Sequence, residues 1–298
     1  MTDDLLTSLP RVADVEIVRG ARADGPPQFL FEMPHGATRA AHFDDLRSEL
    51  HGDYPSDLRD FFFVNTDVGA PELARRTAEF LVAQRPSCSA MLLTARIPRT
   101  FVDCNRVIDA DEHQSPTGMT PGLHAWVRDP RDRALLIARH TAYRQLAERA
   151  FALVCARGGL GVMLHTYAPR SIDVPVDDHV VLHLRAAYRP ETIGTWPLRP
   201  AIDLIAATPD GRTLADENLL AAVRREGAAA GLEVATNNTY PLHPSTLAFA
   251  FAERHPRHTL CLEVRRDLLV REFTPFAEMI ADHERVDRVA RLLANAIG

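Results

Sequence analysis

The chain has 298 residues, 46% of them hydrophobic, which is enough to bury a sizeable core and to make one large domain or two small ones. Its 34 Lys and Arg stand against 40 Asp and Glu, a net charge of −6 that argues against nucleic acid or an anionic membrane as partner, since both call for a basic stripe. The start MTDDLLTSLP has neither the basic nor the apolar part of a signal peptide, no apolar run reaches 18 residues, and the 4 cysteines form no CxxC pair, so a cytoplasmic protein with free thiols is expected.

In chain order, Gln28–Met33 (QFLFEM) reads as a strand that stops at Pro34-His35-Gly36. Pro71–Arg85 reads as a helix with proline in its first turn and Leu73, Ala74, Thr77, Ala78 and Leu81 on one face. Ala90–Ile97 is a buried-type strand, and Arg133–Arg157 a long amphipathic helix closed by Gly158-Gly159. Gly161–Thr166, Ala201–Ala206 and Thr259–Arg265 are further strands. Leu214–Ala230 and Pro275–Ile297 are further helices, the first of which ends at Gly231. Strands alternating with helices predict an α/β sheet covered on both faces, in which sites form at the carboxyl ends of strands. No linker, repeat or low-complexity tract divides the chain, so residues 1–298 read as one domain, and the loops Gly118–Pro130 and Ala168–Asp178 are candidates to line a cleft.

Five segments carry groups suited to chemistry. His35 follows a strand on a tight turn, which aims an imidazole off the sheet edge or simply leaves it on the surface. Asp67, ahead of a helix, either caps it or offers a hard oxygen to a metal, and Glu72 in the first helical turn competes for that role or just complements the helix dipole. His165 ends an apolar strand and needs a partner there, whether a hydrogen bond or a metal. In Arg99-Thr100-Phe101-Val102-Asp103-Cys104-Asn105-Arg106, extended backbone would put Asp103 and Asn105 on one side. Arg106 could then grip a substrate carboxylate or join a surface ion-pair cluster. Glu263 lies inside an apolar strand, where a carboxylate is costly unless it has a partner or a proton-transfer role.

The order of these segments resembles the N-formylglutamate amidohydrolase family. It runs from Pro34-His35-Gly36 through Asp67-Val68-Gly69, Asp103-Cys104-Asn105-Arg106, Tyr143-Arg144 and His165-Thr166 to Asn238-Thr239-Tyr240-Pro241 and Leu262-Glu263-Val264-Arg265-Arg266. The resemblance extends from about Phe29 to the final helix. It implies a three-layer αβα fold around a mixed sheet, similar to zinc carboxypeptidases. It implies a single Zn2+ ion on His35, His165 and a carboxylate, with Asp67 preferred over Glu72. It further implies Glu263 as general base, Arg106 with Asn105 holding a substrate carboxylate, Arg99 or Arg139 at the oxyanion, and Tyr143 near the substrate. The expected activity is hydrolysis of the amide of an N-formyl or N-acyl amino acid. A peptide or cell-wall fragment as substrate, or a binding protein that has lost the chemistry, are the alternatives. The chain departs from the family pattern at Met163, where an acid is expected two residues before the second histidine. It departs again at Arg144, where a histidine is expected and His140 lies one turn earlier, and at Leu242-His243-Pro244, where two glycines are expected.

Overall fold

The computed structural model describes residues 6–108 and 122–298, so the start of the Gly118–Pro130 loop lies outside the described residues. Among the described residues, seven strands form one sheet: β1 (Ala13–Arg19), β2 (Phe29–Met33), β3 (Ser89–Ala95), β4 (Leu160–Tyr167), β5 (Ile202–Ile205), β6 (Val234–Thr236) and β7 (Thr259–Arg265). Their order is β1-β3-β2-β4-β7-β5-β6. The central strands β3, β2, β4 and β7 are parallel, β1 is antiparallel to β3, and β5 is antiparallel to β7, so the sheet is mixed. The helices are α1 (Ala40–Glu49), α2 (Leu58–Asn65), α3 (Ala70–Gln84), α4 (Pro130–Cys155), α5 (Val180–Ala187), α6 (Pro190–Ile193), α7 (Glu217–Ala229), α8 (Leu247–Arg254) and α9 (His283–Ile297).

Period-two alternation within the strands builds two separate cores. Leu30, Met91, Leu93, Met163 and Cys261 face α1, α2, α4, α5 and α8, whereas Phe31, Leu92, Val162, Leu164 and Leu262 face α3, α7 and α9. Both faces of the sheet are therefore covered, and the architecture is three-layer αβα. Fully burying each of these large side chains stabilises the fold by about 1.5–3 kcal/mol.

The predicted helices and central strands lie where periodicity puts them, with shifted ends. The C-terminal helix begins at His283, not Pro275, because Asp282 caps it by accepting from Arg285 N, and Ala281 is instead bridged to Val270. Likewise α7 begins at Glu217 because Asp216 accepts from the Asn218 and Leu219 amides. Strand β1 was not expected. It is an edge strand, partly exposed on both faces, so its apolar residues form no continuous run.

The parallel strands leave their carboxyl ends on one side, and the loops after β2, β3 and β4 meet there. Register sets the rest: His165 of β4 stands beside Glu263 of β7, and Glu263 beside Asp203 of β5.

Candidate active site

Glycine at the corner of the turn after β2 allows a close approach to β3. A Cβ on Gly36 would lie 2.4 Å from Thr94 Cγ2 and 3.2 Å from the Ala95 carbonyl, so this residue lets the His35 turn press against β3. Asp67 does not cap the helix that follows it. Gly69, at φ 86°, takes that position, and the Asp67 carboxylate turns inward.

Three groups distant in sequence converge. His35 Nδ1 lies 3.2 Å from Asp67 Oδ2, His165 Nδ1 lies 3.2 Å from the same oxygen, and the two Nδ1 atoms are 3.3 Å apart. A tetrahedral ion with bonds of about 2.0–2.1 Å needs donor atoms about 3.3–3.4 Å apart. The triangle has that edge length, and its two imidazole nitrogens and one carboxylate oxygen match a divalent cation with an open fourth position. His35, Asp67 and His165 are all buried and constitute a candidate metal site.

The surroundings orient this triangle. His35 Nε2 lies 2.7 Å from Asp103 Oδ1, the arrangement in which a carboxylate fixes the ring that presents its other nitrogen to a metal. Asp103 in turn receives Arg99 Nη2 at 2.9 Å. Asp67 Oδ2 also accepts from the Thr166 amide at 3.2 Å, while Oδ1 lies 3.6 Å from Arg266 Nη2 and 3.8 Å from Arg99 Nη1. Burial pushes the Asp67 carboxyl up, but the His35 and His165 imidazoles outweigh it and hold it below the usual carboxylate range. Asp103 behaves alike: the His35 ring and the Arg99 guanidinium overcome its burial and lower it well below the ordinary value. Glu263 is the opposite case. Its Oε2 is buried and finds no hydrogen-bond partner among the described residues. Burial raises its pKa, which His165 only partly offsets.

His35, His165 and Glu263 line a cleft of about 480 Å³ together with Arg99, Asp103, Asn105, Arg106 and Arg199, and Asp67 touches both histidines without lining it. The sequence matches the N-formylglutamate amidohydrolase family model over residues 28–270.

The chain belongs to the N-formylglutamate amidohydrolase family.

Among solved structures, the N-formylglutamate amidohydrolase of Ralstonia eutropha JMP134 is similar over 95% of this chain and 95% of its own, with a TM-score of 0.54 and 16% identity. A gene product of Agrobacterium tumefaciens is similar over 96% of this chain and 93% of its own, with a TM-score of 0.52 and 20% identity. A metallo-carboxypeptidase of Burkholderia cenocepacia aligns with 98% of this chain and 65% of its own, at a TM-score of 0.38 and 10% identity. No curated protein matches the sequence.

Within this family member, the structure also separates the expected site residues. Asn105 and Arg106 line the cleft, though not through an extended strand. Residues 103–105 form a turn in which Asp103 Oδ1 accepts from Asn105 N at 2.8 Å, and Asn105 Oδ1 accepts from Ala248 N of α8 at 3.0 Å. Arg106 Nε lies 4.0 Å from Asp103 Oδ2. Glu72 does not reach the triangle, because Arg39 Nη2 holds it at 2.8 Å on the neighbouring rim. Arg139 does not reach the cleft either; its guanidinium is engaged with Glu49 at 2.6 Å. Tyr143 is fully buried below the cleft and donates its phenol to Glu32.

Several residues were missed. Glu32 is a buried carboxylate opposite Met163 in the β2–β4 register, so the acid absent at Met163 has a neighbour on the next strand. Burial raises its pKa, and the Tyr143 phenol offsets this in part. A glutamate inside QFLFEM gives the same signal that singled out Glu263. Arg266 belongs to a quoted motif yet had no assigned role; its buried guanidinium donates to the carbonyls of Val64 and Thr166. Arg199 lies 5.0 Å from the Tyr167 ring centre and 5.7 Å from that of Tyr240, contacts that join segments distant in sequence. The two histidines differ in support. His35 Nε2 meets the Asp103 carboxylate, whereas His165 Nε2 faces Asn105 Nδ2 at 3.5 Å.

Proposed function

We propose that the protein is a zinc-dependent amidohydrolase that cleaves the C–N amide of an N-acyl amino acid. The observation that carries this reading is the convergence of His35, Asp67 and His165 at tetrahedral edge lengths, with both histidines lining one cleft with the unpartnered carboxylate of Glu263. A cation on these three residues would supply Lewis acidity, polarising the amide carbonyl and acidifying water. Asp103 keeps the His35 ring turned so that Nδ1 faces the site.

Glu263 takes a proton from the attacking water and returns it to the leaving amine. A carboxylate with a free oxygen and a pKa raised by burial is a competent base for that transfer. Arg99, beside both Asp67 and Asp103, supplies fixed positive charge where the carbonyl oxygen becomes negative. Arg106 and Asn105, on the Asp103 turn, hold the substrate carboxylate, an assignment shared with the resemblance. The test is hydrolysis of a panel of N-acyl amino acids by the purified protein, before and after dialysis against a chelator, with zinc added back. Chelator-sensitive turnover restored by zinc is expected. Turnover that survives complete metal removal, or no turnover of any panel member, would overturn the reading.

A further inference from the structure

The reacting groups do not fill the cleft. A formylated glutamate occupies roughly half of a 480 Å³ cavity at interior packing density. Much of the remaining wall is apolar. It is built from Phe61 and Val64 of α2, Val180 and Leu184 of α5, and Ile172 and Val174 of the loop that leaves β4. The four helix residues are buried and the two loop residues half-buried. This compartment adjoins the metal triangle directly, since α2 runs into Asp67 and the loop follows His165 by a few residues.

The charged groups on its border are already engaged. Arg266 donates to the Val64 and Thr166 carbonyls, Arg170 Nη1 to the Trp196 carbonyl at 2.5 Å, and Arg199 to Tyr240 Oη at 3.0 Å and Ser171 Oγ at 3.1 Å. Asp173, also on the border, is an acid that repels a second substrate carboxylate. A charged side chain placed here loses its water without gaining a dedicated partner, whereas an apolar one gains about 25 cal/mol for each Å² it buries.

We infer that the substrate carries an aliphatic or aromatic group of leucine's size or larger, seated between α2, α5 and the loop, in addition to the carboxylate. This rests on the amidohydrolase reading above. The apolar group lies either on the acyl side of the scissile bond or on the amino-acid side chain, and two compound sets distinguish these. One set varies the side chain (N-formyl-leucine and N-formyl-phenylalanine against N-formyl-glutamate). The other varies the acyl group (N-octanoyl-glycine against N-acetyl-glycine).

The expected result is a kcat/KM at least ~10-fold higher for the apolar members of one set. That ratio should shrink in Ile172→Gln, at a half-buried loop position, with an unchanged Tm showing that the fold is kept. A preference for the polar members of both sets, or none in either, overturns the inference while leaving the amidohydrolase reading intact. If nothing is hydrolysed, that reading fails, and calorimetric binding of the same pairs decides the compartment separately. At least ~10-fold tighter binding of apolar members supports it, and equal or weaker binding overturns it.

Discussion

Two walls of the candidate site treat a buried carboxylate in opposite ways. On one wall, Asp67 is surrounded by two imidazoles, a backbone amide and two guanidinium groups, and its pKa falls. On the other, Glu263 keeps a bare oxygen and its pKa rises. Burial is shared, so partners decide the outcome. In the proposed function, the partnered acid holds a cation and the unpartnered one exchanges a proton.

Breaking the first wall should have the largest effect. Asp67→Asn removes the only charged donor of the triangle and is expected to lower kcat/KM by about 10³-fold or more, with loss of stoichiometric metal measured on the dialysed protein. Retention of one metal per chain would show that Asp67 is dispensable to the site. Glu263→Gln tests the second wall and should lower kcat by about 10²–10⁴-fold with metal retained. The same variant should be more stable. The folded pKa of Glu263 lies above its unfolded value, so the group contributes most below the unfolded pKa and loses that contribution as pH rises through the folded one. The Tm gain is therefore expected near pH 8, by about 2 °C or more, and should vanish near pH 4. It should also be larger in chelated protein, where no cation steadies the carboxylate.

Smaller effects sharpen the contrast. Asp103→Asn leaves the triangle in place but weakens the hold on His35. Metal affinity, read by competition with a chelating dye, should fall about 10–100-fold. Arg139→Ala should be nearly silent in catalysis. Its pair with Glu49 lies outside the cleft, so kcat/KM is expected to stay within about 2-fold.

The contrast also explains what could be read from the sequence. His35 and His165 were legible because each ends an apolar strand on a sheet whose strand ends converge. Glu263 was legible because a charge inside TLCLEVR demands a reason. The choice between Asp67 and Glu72 was not, since both precede or open the same helix, and only the Gly69 turn aims one inward and leaves the other facing Arg39. Asp103 was read as support for an arginine, and its contact with His35 spans 68 residues, which no local pattern reports. Arg139 and Tyr143 were placed near the substrate through resemblance alone, and helix periodicity does not say which partner a helix face meets. Glu49 and Glu32 took them. Of the apolar compartment, the loop Ala168–Asp178 was legible as a cleft wall and does contribute Ile172, whereas Phe61 and Leu184 come from two further segments that no local pattern joins to it.

Arg266 has a consequence for the order of assembly. Its guanidinium ties the end of α2 to the end of β4 and stands 3.6 Å from Asp67, yet it is supplied just after the last strand. During synthesis, both histidines and the aspartate emerge well before the positive charge that steadies them. The corner is complete only when β7 is in place, so under the proposed function a chain truncated before that strand is expected to lose its cation site.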